Sequence, residues 1–332
     1  HVCAKNDYQN KESIYIRYCD KYIDIDFERS PLSMKNIKAY KQLKELIFSE
    51  KYDIVHCHTP VPSVLVRFAV KNIKINKPKV IYTAHGFHFY KGAPLKNWLF
   101  FYPLEKYLSK YTDVLITINR EDYSVAKNKF KAKRVELVNG VGIDLDKFHP
   151  VSDIEKKQLR QKLGFKQDDF IIVYVAELVK NKRHIDLINA TKLLTDVDNV
   201  KVLLIGQCIE FDNYNKVIEA NSLSHKVILL GYQKNINEWL NIANLYVSPS
   251  EREGLPVNIL EAQAVGVPVL ASNCRGNRDL VDKESLFEIG DVDELKFLIE
   301  LYTSNKNAQN RNVDVVKYAS QEILKKLREV YE

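Results

Sequence analysis

Two carboxylates, Glu253 and Glu261, lie eight positions apart across a predicted strand-to-helix junction. A buried strand is predicted to end just before them, and apolar residues at helical spacing predict a helix over residues 255–265. At its N-terminus, the free backbone N–H groups of Gly254 and Leu255 favour an anion such as a diphosphate. Carboxylates beside an anion accept hydrogen bonds from hydroxyl groups instead, Glu253 from a sugar and Glu261 from a ribose. The spacing therefore indicates a site for a nucleotide-sugar.

A second group of polar residues follows a predicted strand at residues 79–83. His85 lies in the loop after this strand, where its imidazole can hydrogen-bond a hydroxyl of a donor sugar. His88, in the same loop, either faces an acceptor or packs on Phe87 and Tyr90. We therefore expect His85 to serve the chemistry, and we leave both roles of His88 open.

Residues 248–269, which contain both carboxylates, resemble the Glu-x7-Glu signature of the retaining glycosyltransferase family 4. Members of this family have the two-domain GT-B fold and transfer a sugar from a nucleotide donor. The resemblance implies that His85 lies by the reaction centre and that Lys182 contacts the donor diphosphate. A cation there would stabilise the negative charge that develops on the leaving group.

The resemblance also implies supporting contacts in the second half of the chain. Arg183 or Lys180 would help to bind the phosphates, and backbone groups of Tyr232 and Gln233 would face the base. The chain departs from the family at Glu177, where many members have an arginine. Phosphate binding would therefore depend mainly on Lys182.

The order of predicted elements indicates an α/β protein of two Rossmann-like, doubly wound domains facing a cleft, as in GT-B. We expect an acceptor-side domain over residues 1–150 and a nucleotide-sugar-binding domain over 151–312, beginning with a charged connector at 151–162. Residues 313–332 are expected to form an amphipathic helix that crosses back to the first domain. Because the chain begins inside a predicted short strand, we expect the family's first βα unit to be absent.

The segment Thr83-Ala-His-Gly-Phe-His-Phe-Tyr-Lys-Gly-Ala-Pro94 resembles the subgroup that builds bacterial capsular, exopolysaccharide and O-antigen repeat units. This resemblance implies transfer from a uridine-linked (UDP) sugar to an undecaprenyl-diphosphate-linked sugar at the cytoplasmic membrane face. Two alternatives stay open. One is a nucleotide-sugar 2-epimerase of the same fold, and the other is a non-catalytic nucleotide-sugar-binding protein, which Glu177 and the expected missing unit favour.

Composition bounds the location and the partners. The net charge of +7 and the spread of the lysines suit an anionic membrane face or a phosphorylated substrate rather than nucleic acid. The apolar runs are strand-sized, far below the roughly 20 residues of a membrane span. Five scattered cysteines, at positions 3, 19, 57, 208 and 274, fit a reducing cytoplasm. We therefore expect a cytoplasmic protein, peripheral on the inner face of the membrane.

An aromatic and basic segment suggests how the membrane is contacted. Trp98, Phe100, Phe101 and Tyr102 lie among Lys91, Lys96 and Lys106, a mixture that favours a membrane interface. A helix buried against the sheet explains half of these side chains equally well.

No cofactor and no metal are expected. Lys182 and the helix N-terminus can carry the diphosphate without a divalent cation. His56 and His58 flank Cys57 at a predicted strand end, where a structural or substrate-lining role is favoured over a metal site.

Overall fold

The computed structural model of the chain describes residues 1–6, 18–195, 199–207, 211–304 and 314–332. They form two compact units, one of His1–Val138 with Val330–Glu332 and the other of Asn139–Glu329. The division falls earlier than residue 150, where the sequence predicted the domain boundary. Cys208, and Val313 at the start of the predicted C-terminal helix, lie outside the described residues.

In the first unit, parallel strands alternate with helices, as the sequence predicts. The strands are β1 (Val2–Ala4), β2 (Tyr22–Asp24), β3 (Ile54–His58), β4 (Lys79–Ala84), β5 (Val114–Thr117) and β6 (Arg134–Leu137). The helices are α1 (Lys35–Glu50), α2 (Pro60–Val70), α3 (Leu95–Leu108) and α4 (Arg120–Lys129). β1 pairs with β2, and β3 to β6 form a four-stranded sheet in chain order. The carboxyl ends of β3 and β4 therefore lie side by side at one edge.

Helix packing in this unit follows the apolar pattern of the sequence. Ala39, Leu43 and Ile47 recur every four residues on α1, and all three are buried in the core. α2 and α3 are joined by a buried ion pair in which Arg67 Nη1 lies 2.8 Å from Glu105 Oε2. Because both charges are buried and paired, removing either one would leave the other uncompensated.

The aromatic residues of α3 point in different directions. Trp98, Phe101 and Tyr102 are partly buried against the core, whereas Phe100 is 73% exposed. The prediction that all four residues form a membrane-facing cluster was therefore wrong for Trp98, Phe101 and Tyr102, for which the alternative of a helix packed on the core holds. Adjacent positions on a helix point about 100° apart, so one face of α3 cannot present all four rings to a membrane.

The second unit contains a six-stranded parallel sheet. Its strands are β7 (Phe170–Val175), β8 (Val200–Ile205), β9 (Val227–Gly231), β10 (Leu245–Ser248), β11 (Val269–Ser272) and β12 (Leu286–Phe287). Its helices are α5 (Asp153–Lys162), α6 (His184–Leu193), α7 (Phe211–Ala220), α8 (Ile236–Ile242), α9 (Val257–Ala264) and α10 (Val292–Ser304). The strand order is β12-β11-β10-β7-β8-β9, the doubly wound arrangement that the sequence predicted.

Within residues 151–162, where the sequence predicted a connector, Asp153–Lys162 form helix α5. α5 begins with a capping box, in which the Ser152 hydroxyl accepts from the backbone N–H of Glu155 and the Glu155 carboxylate accepts from the backbone N–H of Ser152. These bonds satisfy N–H groups that the first turn leaves without helical partners, so the charged segment folds as a helix. Near the chain end, α11 spans Ser320–Tyr331. None of the described helices has the length and apolar composition needed to cross a bilayer.

Candidate functional site

The sheet of the second unit changes direction between β7 and β10. From β7 the chain proceeds to β8 and β9 on one side, and from β10 to β11 and β12 on the other. In doubly wound sheets, ligands bind outside the carboxyl ends of the strands at such a switch point. The segment after β7 carries Lys182, and the segment after β10 carries Glu253. Two sequence-predicted residues therefore flank the expected ligand position.

Lys182 and Glu253 form an ion pair at this point. The ammonium Nζ of Lys182 donates to Oε1 of Glu253 at 2.6 Å, and both side chains are largely buried. The pairing gives the two groups no net charge. An anionic ligand approaching this edge therefore does not meet a bare carboxylate.

A buried tyrosine supports the segment that carries Lys182. The hydroxyl of Tyr174 donates to the backbone oxygen of Lys182 at 3.0 Å and lies 2.9 Å from the Ser250 hydroxyl. Burial raises the pKa of Tyr174 well above its usual range, so it remains a donor at neutral pH. The backbone N–H of Glu251 also bonds to the Asn181 oxygen at 2.9 Å. Tyr174 was missed from the sequence because it reads as one more residue of an apolar strand.

The segment after β10 is also packed against the one after β11. A Cβ on Gly276 would lie 2.6 Å from the Gly254 carbonyl oxygen, so only glycine allows this approach. Arg275 Nε donates to the Glu253 backbone oxygen at 3.3 Å. The backbone that carries Glu253 is therefore fixed from both sides.

α9 begins at Val257, later than the predicted start at residue 255. Pro256 is its N-cap, and Gly254 and Leu255 precede the helix. The N–H groups that a helix leaves free belong to its first turn, here from Val257 onward. The predicted helix start was therefore two residues too early, and binding of an anion by the N–H groups of Gly254 and Leu255 stays a prediction.

Glu261 lies on the second turn of α9 and is half-buried. Burial raises its pKa from the ordinary value of 4.5 to about 7, and the nearby positive charge of Lys147 opposes the shift. At neutral pH this carboxyl is therefore divided between its protonated and ionised forms. Hydroxyl donors from a ligand would favour the ionised form, because a carboxylate accepts hydrogen bonds more strongly.

The other predicted phosphate and base contacts are less directly available. Arg183 has a left-handed backbone, with φ of 51°, and its Nη2 donates to Asp186 Oδ1 on α6 at 3.0 Å. Tyr232 follows β9 and is exposed, and the side-chain amide of Gln233 donates to the Leu230 oxygen at 2.8 Å. The strand order puts Tyr232 and Gln233 two strands away from β7. Arg183 is thus held by its own helix, and the roles of all three stay predictions.

The histidines of the first unit form a cluster at the ends of β3 and β4. His85 Nε2 lies 3.1 Å from His58 Nδ1, so one ring donates to the other. His56 lies 2.7 Å from the Tyr331 hydroxyl and 2.8 Å from Thr83 Oγ1. Burial lowers the pKa of all three, that of His56 to about 4. The three rings are therefore neutral at physiological pH.

His88 stacks on Phe101 of α3, with ring centroids 4.7 Å apart. This packing partner is neither of the two that the sequence suggested. Within the described ranges, no group of three or more His, Cys, Asp or Glu side chains is arranged to hold a metal ion. Whether activity needs a metal stays a prediction.

Each of the two units matches a known glycosyltransferase family model over most of its length. The family model described as "Glycosyl transferases group 1" matches residues 155–321, and the model described as "Glycosyl transferase 4-like" matches residues 1–119. Among individual proteins, the chain is 44% identical over 279 residues to EpsD of Bacillus subtilis (strain 168), which is assigned as a glycosyltransferase. The alignment covers 82% of this chain and 73% of EpsD.

Another relative has a more specific name. The UDP-Gal:alpha-D-GlcNAc-diphosphoundecaprenol alpha-1,3-galactosyltransferase of Escherichia coli is 32% identical over 291 residues, covering 84% of this chain and 74% of that protein. The capsular polysaccharide biosynthesis glycosyltransferase CapM of Staphylococcus aureus is 25% identical, covering 92% of this chain and 83% of CapM.

Solved structures show the same fold. Sucrose-phosphate synthase from Thermosynechococcus elongatus superposes with a TM-score of 0.78 at 19% identity, covering 93% of this chain and 82% of that one. Anabaena HepE in complex with UDP and glucose superposes with a TM-score of 0.76 at 17% identity, covering 99% and 90%. The fold is GT-B. From the family models and the EpsD match, we conclude that the chain belongs to the group 1 glycosyl transferases.

Proposed function

We propose that the protein is a retaining glycosyltransferase that moves a sugar from a UDP-sugar to a lipid-diphosphate-linked acceptor in bacterial surface polysaccharide synthesis. The observation that carries this proposal is the Lys182–Glu253 ion pair beside the switch point of the second unit. A cation and a hydroxyl acceptor in contact are the two groups that a sugar diphosphate requires.

Lys182 supplies the positive charge for the donor diphosphate. An ammonium has three donors, so Lys182 can keep its bond to Glu253 while it donates to a phosphate oxygen. When the bond between the sugar and the phosphate breaks, negative charge develops on the leaving UDP. Lys182 stabilises that charge in a largely buried setting, where electrostatic interactions are strong.

Glu253 and Glu261 accept hydrogen bonds from hydroxyl groups of the donor. The backbone at Glu253 is held by Arg275, and that at Glu251 by Asn181. The Glu253 carboxylate accepts a hydrogen bond from the transferred sugar. Glu261 accepts from the ribose, whose hydroxyls offset the cost of ionising a half-buried carboxyl. The remaining contacts, Tyr232 and Gln233 with the base and Arg183 with phosphate, complete the donor site.

His85 serves the sugar in the neutral form. Its pKa is lowered by burial, and its Nε2 shares a hydrogen bond with Nδ1 of His58, so the tautomers of the two rings are coupled. A neutral ring can donate to or accept from a sugar hydroxyl without adding charge to the reaction centre. No covalent nucleophile is assigned, and the leaving phosphate takes the proton of the acceptor hydroxyl on the same face of the sugar.

The names of the relatives support the substrate classes. The Escherichia coli relative is named for a UDP-galactose donor and a diphosphoundecaprenol-linked acceptor, and the Staphylococcus aureus relative for capsular polysaccharide biosynthesis. An acceptor of that kind resides in a membrane. The exposed face of α3, with Phe100 and its lysines, is the proposed contact with the anionic inner surface of the cell membrane.

The test is whether UDP release depends on the acceptor. The protein is incubated with a panel of UDP-sugars, each with and without a sugar-diphosphate lipid, and UDP is measured. We expect release with one donor and only when the acceptor is present. A free epimerised sugar without acceptor would instead identify a 2-epimerase, and no turnover with any pair would identify a binding protein.

A further inference from the structure

We propose that the first unit contains a binding pocket for the isoprenoid chain of the acceptor, with Arg29 at its wall for the acceptor diphosphate. This inference rests on the acceptor class given by the proposed function. A cavity of about 580 Å³ lies within this unit, bounded by the segment after β2, α2, the loop after β4 and α3. Its volume is within the range of roughly 300–1,000 Å³ that is usual for small-molecule sites.

The cavity wall is largely apolar. Aromatic and aliphatic side chains reach it from each bounding segment, and they include Phe27, Val64, Leu65, Phe87, Phe101 and Leu104. His88 also lines the cavity, with its ring stacked on Phe101. A branched hydrocarbon would gain free energy by leaving water for such a wall.

The charges at the wall favour an anionic head group. Glu28 is neutralised by Lys5 at 3.2 Å and Lys35 at 3.3 Å, and Glu105 by Arg67 at 2.8 Å. Arg29 is exposed and makes no ion pair with another described residue. The guanidinium of arginine matches phosphate oxygens in geometry and charge. An apolar cavity with an available arginine is thus complementary to an isoprenoid diphosphate.

Exposed apolar residues are neighbours in sequence of residues that line the cavity. Leu32 and Met34, which are 90% and 76% exposed, follow the lining residue Pro31. Phe100, on the exposed face of α3, precedes the lining residue Phe101. Apolar side chains in these positions can enter the surface of a bilayer. The part of a long isoprenoid chain that exceeds the cavity can therefore continue into the membrane.

Binding is tested with soluble probes by calorimetry, with UDP at saturation so that the donor site is occupied. The probes are inorganic diphosphate, isopentenyl diphosphate and farnesyl diphosphate. Each buried methylene contributes about fourfold in affinity. We therefore expect farnesyl diphosphate to bind at least tenfold more tightly than isopentenyl diphosphate. Equal affinity for these two probes would overturn the proposal.

Cavity-filling variants locate the binding. Leu104→Trp and Val64→Trp should each weaken farnesyl diphosphate binding about tenfold or more, the cost of excluding a few methylene groups. Leu301→Trp, at an exposed leucine of the second unit, is the matched control and should bind as the wild type does. Unchanged farnesyl diphosphate binding in a folded cavity variant would refute the location. If one variant has lost its melting transition, the other decides.

Arg29→Gln tests the head group. It should weaken binding of the three probes by a similar factor of about ten, the scale of a lost charge-assisted hydrogen bond. The preference for farnesyl over isopentenyl diphosphate should persist, because the apolar wall is unchanged. A selective loss of the chain-length preference would contradict the assignment of Arg29.

Two further measurements separate this proposal from other outcomes. A soluble short-chain phosphatidylglycerol that competes with farnesyl diphosphate at equal affinity would assign the cavity to membrane lipid and overturn the proposal. Transfer to a sugar-diphosphate lipid is measured separately. Chain-length-dependent binding without transfer would refute the proposed function alone, and transfer with no chain-length effect on binding would refute the pocket alone.

Discussion

Glu261→Gln should weaken donor binding and at the same time stabilise the protein. The change keeps the shape of the side chain and removes its charge. A hydrogen bond to a charged group contributes about 1–3 kcal/mol, so the dissociation constant for the UDP-sugar should rise roughly 5- to 150-fold. This loss of donor affinity relative to the wild type should reach its full size at about pH 8, where a carboxyl with a pKa of about 7 is mostly ionised.

The pH dependence of binding follows from the same carboxyl. Donor hydroxyls favour the ionised form, so the pKa of Glu261 should be lower in the complex than the value of about 7 in the free protein. Below that pH, binding must release a proton, and the affinity should fall by up to about tenfold for each pH unit. Glu261→Gln should bind with an affinity that varies little over the same range.

Protein stability should change in the opposite direction. The pKa of Glu261 is raised on folding, from 4.5 to about 7, so the folded state holds the proton more tightly. The stability that this provides is fully present below pH 4.5 and is lost as the pH rises through about 7. The loss has an upper limit of about 3 kcal/mol, since each pKa unit corresponds to about 1.4 kcal/mol. Glutamine cannot ionise, so the variant should be the more stable protein above neutral pH.

Calorimetric titration with UDP-sugar and urea unfolding, each at about pH 6 and about pH 8, measure both effects. Glu219→Gln, an exposed carboxylate on α7, is the matched control and should alter neither. Donor affinity in Glu261→Gln equal to that of the wild type at the higher pH would refute the ribose contact. Lower stability of the variant at that pH would refute the account of the raised pKa.

Four further experiments test the remaining parts of the proposal. Lys182→Gln should weaken donor binding at least tenfold, about 1.4 kcal/mol. In the double variant, Glu253→Gln should weaken donor binding by less than it does in the wild-type background, because the two groups act as a pair. Additive losses of affinity would contradict this. His85→Ala should abolish most transfer with little change in melting temperature, whereas an unfolded variant would show a core role. Transfer activity should persist in excess chelator. Activity that is lost in chelator and regained on adding manganese or magnesium would contradict metal independence. In vesicle sedimentation, Lys96→Glu should weaken binding to anionic vesicles by about 1 kcal/mol at low salt, and Phe100→Ser should weaken it at any salt. Equal sedimentation of both variants and the wild type would show that this face of α3 does not contact the membrane.

The sequence located the donor-site segments because their local signals are strong. An apolar strand followed by glycine and proline predicted the break after β10, and the helix carrying Glu261 followed from its apolar spacing. The Lys182–Glu253 contact could not be predicted from that pattern. The two residues are 71 positions apart and meet only because β10 lies beside β7 in the sheet.

Other errors have local causes. Residues 151–162 were expected to form a connector because their charge masked a capping box at Ser152 and Glu155. For α3, composition could not show which aromatic rings face the core. The direction of each ring depends on the position of the helix over the sheet, which a single sequence does not encode locally.

The central claim is tested most directly by the structure of the product. The protein is incubated with UDP-sugar and a sugar-diphosphate lipid, and the product is examined by mass spectrometry and by NMR of its new anomeric centre. The account predicts a lipid that is heavier by one sugar, with the anomeric configuration of the donor retained. An inverted configuration, or a released free sugar with the lipid unchanged, would contradict it.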